Sequence, residues 1–456
     1  MKKIIVSFVA LLVVAGMVSF TIPAPTLAVA QGQGSDNLAR VLIAFDKPVG
    51  SSEQALVHAH GGKIKYSYSI VDAIAATLPA GAIEGLSRNP HIASIDLDDT
   101  VYAVDDELDN SWGVKRIGAG TVHDGSVQTG LANKGAGIKI GIIDSGINYN
   151  HPDLNANYRG GYDFYYYDYD PMDVYGHGTH VAGTACAKDN DNGVKDASGK
   201  PLYGVVGVAP KCDLYSLRVL NEDGVGYWSD IIAAVQWSTG ALVSLEAWGT
   251  TPATTTQGVI MDVINLSLGQ ARDPGSIVKQ AFDNAEAKGV VIVAAAGNSG
   301  TFSGKGKNVI YPAKFASVIA VAATDSFDKR ASFSSTGPEV ELAAPGVSVY
   351  STWNDNTSYS NPQPKCNLAD GGCYKYGSGT SMASPHVAGV AALIIATGVS
   401  DRSAVGTSGY GRINDEVRKV MNDTAIDLAA AGRDSQYGFG LVSAVAAVAR
   451  SMVLWP

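Results

Sequence analysis

Three short stretches set chemically useful side chains among glycines and other small residues. In IKIGIID (138–144) an apolar run ends on Asp144; in YGHGTHVAG (175–183) His177 stands between two glycines; in GTSMASPH (379–386) Ser381 opens an apolar, helix-like run. A serine hydroxyl is a poor nucleophile until a base takes its proton, and an imidazole base needs a carboxylate to fix its tautomer and stabilise its charged form. Ser381 also falls where the first N–H groups of a helix are open, an end that favours negative charge. Together the three residue types suit attack on a carbonyl by an activated serine. Singly, each has a plainer reading: Asp144 as a turn residue, Ser381 as an N-cap, and the nearby His180 and His386 as packed structural histidines.

The elements that would position them follow from hydrophobic pattern. IKIGIID is almost continuously apolar, as expected of a strand buried on both faces of a parallel sheet. HGTHVAGTACA reads as a helix. DLYSLRVL, DVINLSLG, VVIVAAAGN and SVIAVAATD read as strands, with WSDIIAAVQWS and GSIVKQAFDNAEAKG as helices among them. This alternation predicts an α/β fold with a doubly wound, mostly parallel sheet, whose sites lie beyond the carboxyl ends of its strands. Ahead of it, RVLIAF and KIKYSYSIVDAIAATLP read as strands, SSEQALVHAH and GAIEGLSRNP as short helices, and IASIDLDDTVYAV as one last strand. That order predicts a small α+β ferredoxin-like unit, closed by the acidic linker DDELDN (105–110). ALVSLEAWGTTPATTTQG (241–258) and the loop 354–376 read as insertions on the surface of the larger sheet.

Composition narrows the partners. The 456 residues carry 33 basic and 43 acidic side chains, a formal net charge of −10, which argues against nucleic acid, since phosphate binding rests on clustered Lys and Arg. Residues 1–30 hold two lysines, a long apolar run and the small-x-small sequence Ala28-Val29-Ala30, the pattern of a signal peptide. An uncleaved anchor is the alternative; Pro23 and Pro25, which close the run, favour removal and a secreted chain with no stable membrane association. Export favours oxidised cysteines. Cys366 and Cys373 bracket the polar loop CNLADGGC and are the first choice for a bridge, which leaves Cys186 to Cys212; buried free thiols are the alternative.

DSGIN and HPDL, GHGTHVAG, VGVAP, INLSLG, AAAGN and GTSMASPHVAG occur in this order, and over 112–445 the chain resembles the subtilisin-like serine proteases, or subtilases. The resemblance implies a serine endopeptidase in which Asp144 orients, His177 is general base and then acid, and Ser381 attacks, with Asn298 and the Ser381 N–H as oxyanion hole. It implies a signal peptide (1–30), an inhibitory propeptide that assists folding (31–106) and a catalytic domain (107–456), acting on polypeptides as a monomer. Gly224 and Gly226 on one side, and Ser267, Leu268 and Gly269 on the other, match the family's edge strands that clamp an extended substrate. Ser267-Leu268-Gly269 and Ala295-Ala296-Gly297 wall the primary pocket, which Ile310 makes shallower. Trp228 either lines a further apolar pocket or packs in the core. No acidic residue stands in these walls, so an apolar or small residue is expected before the scissile bond. The resemblance also implies structural Ca2+, held by Asp153 and by Asp189, Asn190, Asp191 and Asn192 of an oxygen-rich loop; a solvated acidic loop is the alternative. An α/β-hydrolase would want G-x-S-x-G and the serine first in order, and neither is found. His177 and Asn298 argue against the acid-active relatives that use Ser-Glu-Asp. The filled catalytic positions argue against an inactive scaffold.

Overall fold

Alternating β-branched residues give the first strands two different faces. The computed structural model describes residues 38–98, 100–103, 112–123, 125, 132–189, 204–245, 254–354, 374–399 and 413–454. Cys366, Cys373, Asn190, Asp191 and Asn192 lie outside the described residues, as does the acidic linker 105–110. The first elements are β1 (Leu38–Phe45), α1 (Ser51–Ala59), β2 (Lys63–Ser67), β3 (Ala73–Pro79), α2 (Ala80–Ser87) and β4 (Ile92–Leu97). Their strands lie antiparallel in the order β2-β3-β1-β4, the expected ferredoxin-like arrangement. Val41, Ile43 and Phe45 pack with Val57 of α1 and Leu86 of α2, while Leu42 turns the opposite way with Tyr66, Ala73 and Ala75.

The run 92–104 departs from expectation. It is not one strand but two, β4 and then β5 (Thr100–Ala103), which belong to different sheets. Asp98 stands at the break. Its carboxylate accepts from Arg40 Nε (3.0 Å) and from the Ser229 backbone N–H (2.6 Å), and these bonds turn the chain out of the small sheet.

After the short helices α3 (Gly113–Arg116) and α4 (Ala119–His123), the chain runs through β6 (Lys139–Asp144), β7 (Tyr158–Asp163), α5 (His177–Cys186), β8 (Asp213–Arg218), β9 (Val225–Tyr227) and α6 (Trp228–Trp237). Next come β10 (Leu242–Leu245), β11 (Thr254–Gln257), β12 (Val263–Leu266), β13 (Leu268–Gly269), α7 (Ser276–Ala287) and β14 (Val291–Ala295). The remainder is β15 (Ile319–Thr324), β16 (Val340–Pro345), β17 (Val349–Thr352), β18 (Tyr374–Gly377), α8 (Thr380–Ile395), α9 (Ile413–Thr424) and α10 (Ala444–Leu454).

Seven of these strands form one parallel sheet in the order β16-β15-β14-β12-β6-β8-β7. Their near-continuous apolar sequences now have a reason: one face packs on α5, α8 and α10, the other on α6 and α7. Cys186 and Cys212 are bonded across that first core with their Cα atoms 6.0 Å apart, worth roughly 3 kcal/mol by the chain-entropy argument. On the far side, α6 and α7 carry the small N-terminal sheet on their outer surface. The segment 241–258, expected as an insertion on the larger sheet, is the hairpin β10–β11. Its β-branched run extends the small sheet instead, giving the order β11-β10-β2-β3-β1-β4. Among the described residues no helix is long and apolar enough to cross a membrane.

Candidate active site

The polar groups gather at the carboxyl ends of the parallel strands, where the strand order reverses around β6. Asp144 is the last residue of β6. Its Oδ1 accepts from the Ser145 N–H (2.7 Å) and from His177 Nδ1 (2.8 Å). A carboxylate can only accept, so the imidazole proton sits on Nδ1 and Nε2 presents its lone pair.

His177 opens α5, and the turn before it fixes its direction. Asp173 accepts from the N–H groups of Tyr175 (3.0 Å), Gly176 (2.8 Å) and Thr179 (2.8 Å), and from the hydroxyls of Ser145 (2.9 Å) and Thr179 (2.5 Å). Burial pushes the Asp173 carboxyl up, and these donors oppose that shift. Gly176 adopts φ 102°, and a β-carbon there would lie 2.6 Å from the Trp353 ring, so only glycine fits. Asp173 is not marked in the sequence as a site residue, because an aspartate three residues ahead of a glycine reads as an ordinary turn.

Ser381 is the second residue of α8. Pro385, one turn on, has no N–H, so the Ser381 carbonyl lacks its helical partner. Ser267 Oγ donates to that carbonyl at 2.8 Å, and Ser381 Oγ donates to the Ser267 carbonyl at 3.2 Å. Asn265 Nδ2 in turn donates to Ser267 Oγ at 3.0 Å. Asn298 follows β14 and turns its Oδ1 to the Thr380 N–H (3.0 Å) and hydroxyl (3.1 Å), which leaves its Nδ2 buried with no partner among the described residues. A buried, unsatisfied amide donor costs roughly 1–3 kcal/mol and needs an explanation.

Asp144, His177 and Ser381 are each 0% exposed. Strand β5 lies over this region, antiparallel to β9 on one side and to β13 on the other, with Val101 opposite Gly226, Tyr102 opposite Gly269 and Ala103 opposite Leu268. A β-carbon on Gly226 would lie 2.2 Å from the Val219 carbonyl oxygen, so glycine is required where β9 meets that backbone. Gly224 occupies the turn before β9 at φ 71°. On the opposite wall the Ala296 carbonyl, one residue past Ala295, accepts from the Ile310 N–H (3.0 Å), and a β-carbon on Gly297 would meet Ile310 at 2.9 Å. Trp228 begins α6 directly after β9 and is wholly buried beneath the small sheet, with β5 paired on β9 beside it.

His180 and His386 are packed histidines. His180 Nε2 donates to the carbonyls of Val349 and Lys375, both at 3.1 Å, and burial, with His177 second, lowers its pKa to about 3. His386 Nδ1 donates to the Met382 carbonyl at 2.8 Å, and burial lowers its pKa to about 4.

Of the expected calcium donors, Asp153 and Asp189 are among the described residues, and each has protein partners. Asp153 Oδ2 accepts from the Val205 N–H (3.1 Å) and the Tyr374 hydroxyl (2.8 Å), while Asp189 pairs with Lys134 Nζ (2.7 Å). Among the described residues no three His, Cys, Asp or Glu side chains gather as a metal site.

Residues 135–440 match the Subtilase family. Subtilisin J of Geobacillus stearothermophilus is 34% identical over 433 residues, spanning 94% of this chain and 95% of that protein. Subtilisin DY of Bacillus licheniformis is 42% identical over 315 residues, 69% of this chain and 92% of that protein. In fold, the chain is similar to fervidolysin from Fervidobacterium pennivorans, a keratinolytic enzyme related to subtilisin; the TM-score is 0.68 at 24% identity, over 92% of this chain and 62% of that one. On the strength of the family match and of relatives aligned along nearly their whole length, the chain belongs to the subtilase family and is a serine endopeptidase.

Proposed function

We propose that the enzyme is secreted as a self-processing precursor in which residues 38–103 occupy and block the active site of the domain that follows them. The observation that carries this reading is the backbone of β5, paired on both sides beside Ser381 as an extended substrate would be. In turnover, His177 Nε2 takes the proton of Ser381 Oγ as the oxygen bonds to the peptide carbonyl carbon, and Asp144 stabilises the imidazolium. For this, Ser381 Oγ exchanges its bond to the Ser267 carbonyl for one to His177. The developing oxyanion accepts from the Ser381 N–H, at the open mouth of α8, and from the otherwise unsatisfied Nδ2 of Asn298. His177 then passes its proton to the leaving amine, and water resolves the acyl-enzyme by the same route.

Cleavage near 104–107 would end the covalent link in the acidic linker. The Ile310–Gly297 contact and the absence of acidic residues from the pocket walls support an apolar or small residue before the scissile bond, in a monomeric enzyme. Export rests on the signal-like residues 1–30. The alignment to Subtilisin J, which spans 94% of the chain, supports treating the N-terminal sheet as part of the family's precursor plan. The test is Ser381→Ala, expressed in a protease-free host: it should accumulate uncut while the wild type processes itself. Normal processing of the alanine variant would contradict self-cleavage.

A further inference from the structure

The hairpin β10–β11 belongs to the catalytic domain by sequence, yet it completes the sheet of the N-terminal subdomain. Ser244 lies opposite Ser67 and Leu245 opposite Tyr66, so β10 pairs along the outer edge of β2. Without it, β2 would end the small sheet as an open edge, with a row of unpaired N–H and C=O groups.

The hairpin is anchored from its own side. Val243 and Thr256 are buried, Trp237 Nε1 donates to Thr256 Oγ1 (3.2 Å) and Gln257 Nε2 donates to the Gly240 carbonyl (2.8 Å). Gln236, at the end of α6, joins the two parts: its Nε2 donates to the Leu242 carbonyl (2.8 Å), and its Oε1 accepts from the Ser69 N–H of the N-terminal subdomain (2.8 Å). The polar anchors of the hairpin come from α6 and from the hairpin itself, through Trp237, Gln236 and Gln257.

From this arrangement we propose that β10, backed by β11, is a docking strand that captures residues 63–67 by strand addition, so that the enzyme retains its own N-terminal subdomain after the link is cut. Main-chain bonds supply affinity and the fixed register supplies selectivity. The cleft then holds one strand of the subdomain, β5, between β9 and β13, and the hairpin holds a second, β2; β9 leads into α6 and β10 follows it. This rests on reading residues 38–103 as an inhibitor.

The test uses the full chain with 242–257 replaced by a two-residue Asn-Gly turn, which suits the facing Ala241 carbonyl and Gly258 N–H (3.0 Å). After self-cleavage, the lag before full activity on a small chromogenic peptide should shorten at least tenfold, and the final rate should match the wild type. An equal lag overturns the docking strand and leaves the inhibitor reading intact; a wild type without any lag overturns both. Amide exchange gives a readout that does not need the trimmed variant to fold. Residues 244 and 245, which face Ser67 and Tyr66, should be protected in the uncut Ser381→Ala chain, stay protected during the lag after self-cleavage and lose that protection as full activity appears; protection unchanged at full activity overturns the proposal.

Discussion

The Asp144–His177 pair and the Lys65–Asp230 pair are both shut away from water, yet they are held in different ways. Asp144 and His177 stand on the same parallel sheet and its flanking helix, in a frame that stays whole if the N-terminal subdomain departs. Lys65 comes from β2 and Asp230 from α6, so their contact exists only while the small sheet is docked. Burial pushes Lys65 down and Asp230 up, each opposed by the attraction of its partner. Around them Arg40 pairs with Asp98, donates to Ser229 Oγ (2.8 Å) and stacks 3.4 Å over Tyr227, while the Tyr68 hydroxyl donates to the Ser229 carbonyl (2.8 Å). Every one of these groups is content in water once exposed. The parallel sheet, by contrast, is closed by apolar residues that could not separate without large cost. The catalytic pair is thus built inside one core, whereas the small sheet meets α6 through a buried polar cluster as well as through apolar residues such as Leu42 and Val71.

Breaking the permanent pair should have the largest effect. His177→Ala is expected to lower turnover by about 10⁶-fold, a magnitude taken from a related enzyme, so the chain should remain uncut on gels while its N-terminal contacts persist. Breaking the conditional pair comes next. Lys65→Met leaves the buried Asp230 without its paired cation, which costs about 3–5 kcal/mol, so release after self-cleavage should quicken by roughly 10²–10⁴-fold. Lys65→Met with Asp230→Leu should restore slow release, because no charge is then left buried; a double variant that releases as fast as Lys65→Met would show that the orphaned carboxylate is not the cause.

Asn298→Ala sharpens the permanent side. It should cost about 10²–10³-fold in kcat with little change in KM, since the Nδ2 donor serves only the transition state. The smallest effect concerns pH. His180 binds its proton near pH 3 when folded and near 6.5 when unfolded. Below pH 6.5 the unfolded chain therefore binds more protons, and stability falls as pH drops toward 3. In the Ser381→Ala background, which prevents self-digestion, His180→Gln should flatten the loss of thermal stability between pH 6.5 and 5 by about 2 kcal/mol. An unchanged slope would remove His180 from the acid response.

Residue pattern revealed the parallel sheet because strands buried on both faces read as unbroken apolar runs, and it pointed to Asp144 and His177, which the structure joins at 2.8 Å, because each sits in a long, ordered motif. It did not reveal the break at Asp98, whose cause is the N–H of Ser229, 131 residues away. Nor could it assign Trp228, since an apolar residue at an element boundary signals a pocket and a core equally. The destination of the 241–258 segment was hidden for the same reason: its strands are legible, but the edge they join belongs to Ser67 and Tyr66, far back in the chain. Asp173 acts through local turns that leave no periodic mark.

The most direct test of the account is covalent labelling of the processed enzyme with a fluorophosphonate, followed by peptide mapping. The account predicts a single adduct on Ser381, absent from the His177→Ala chain and withheld while residues 38–103 stay bound. An adduct on a different serine, or equal labelling of the His177→Ala chain, would contradict it.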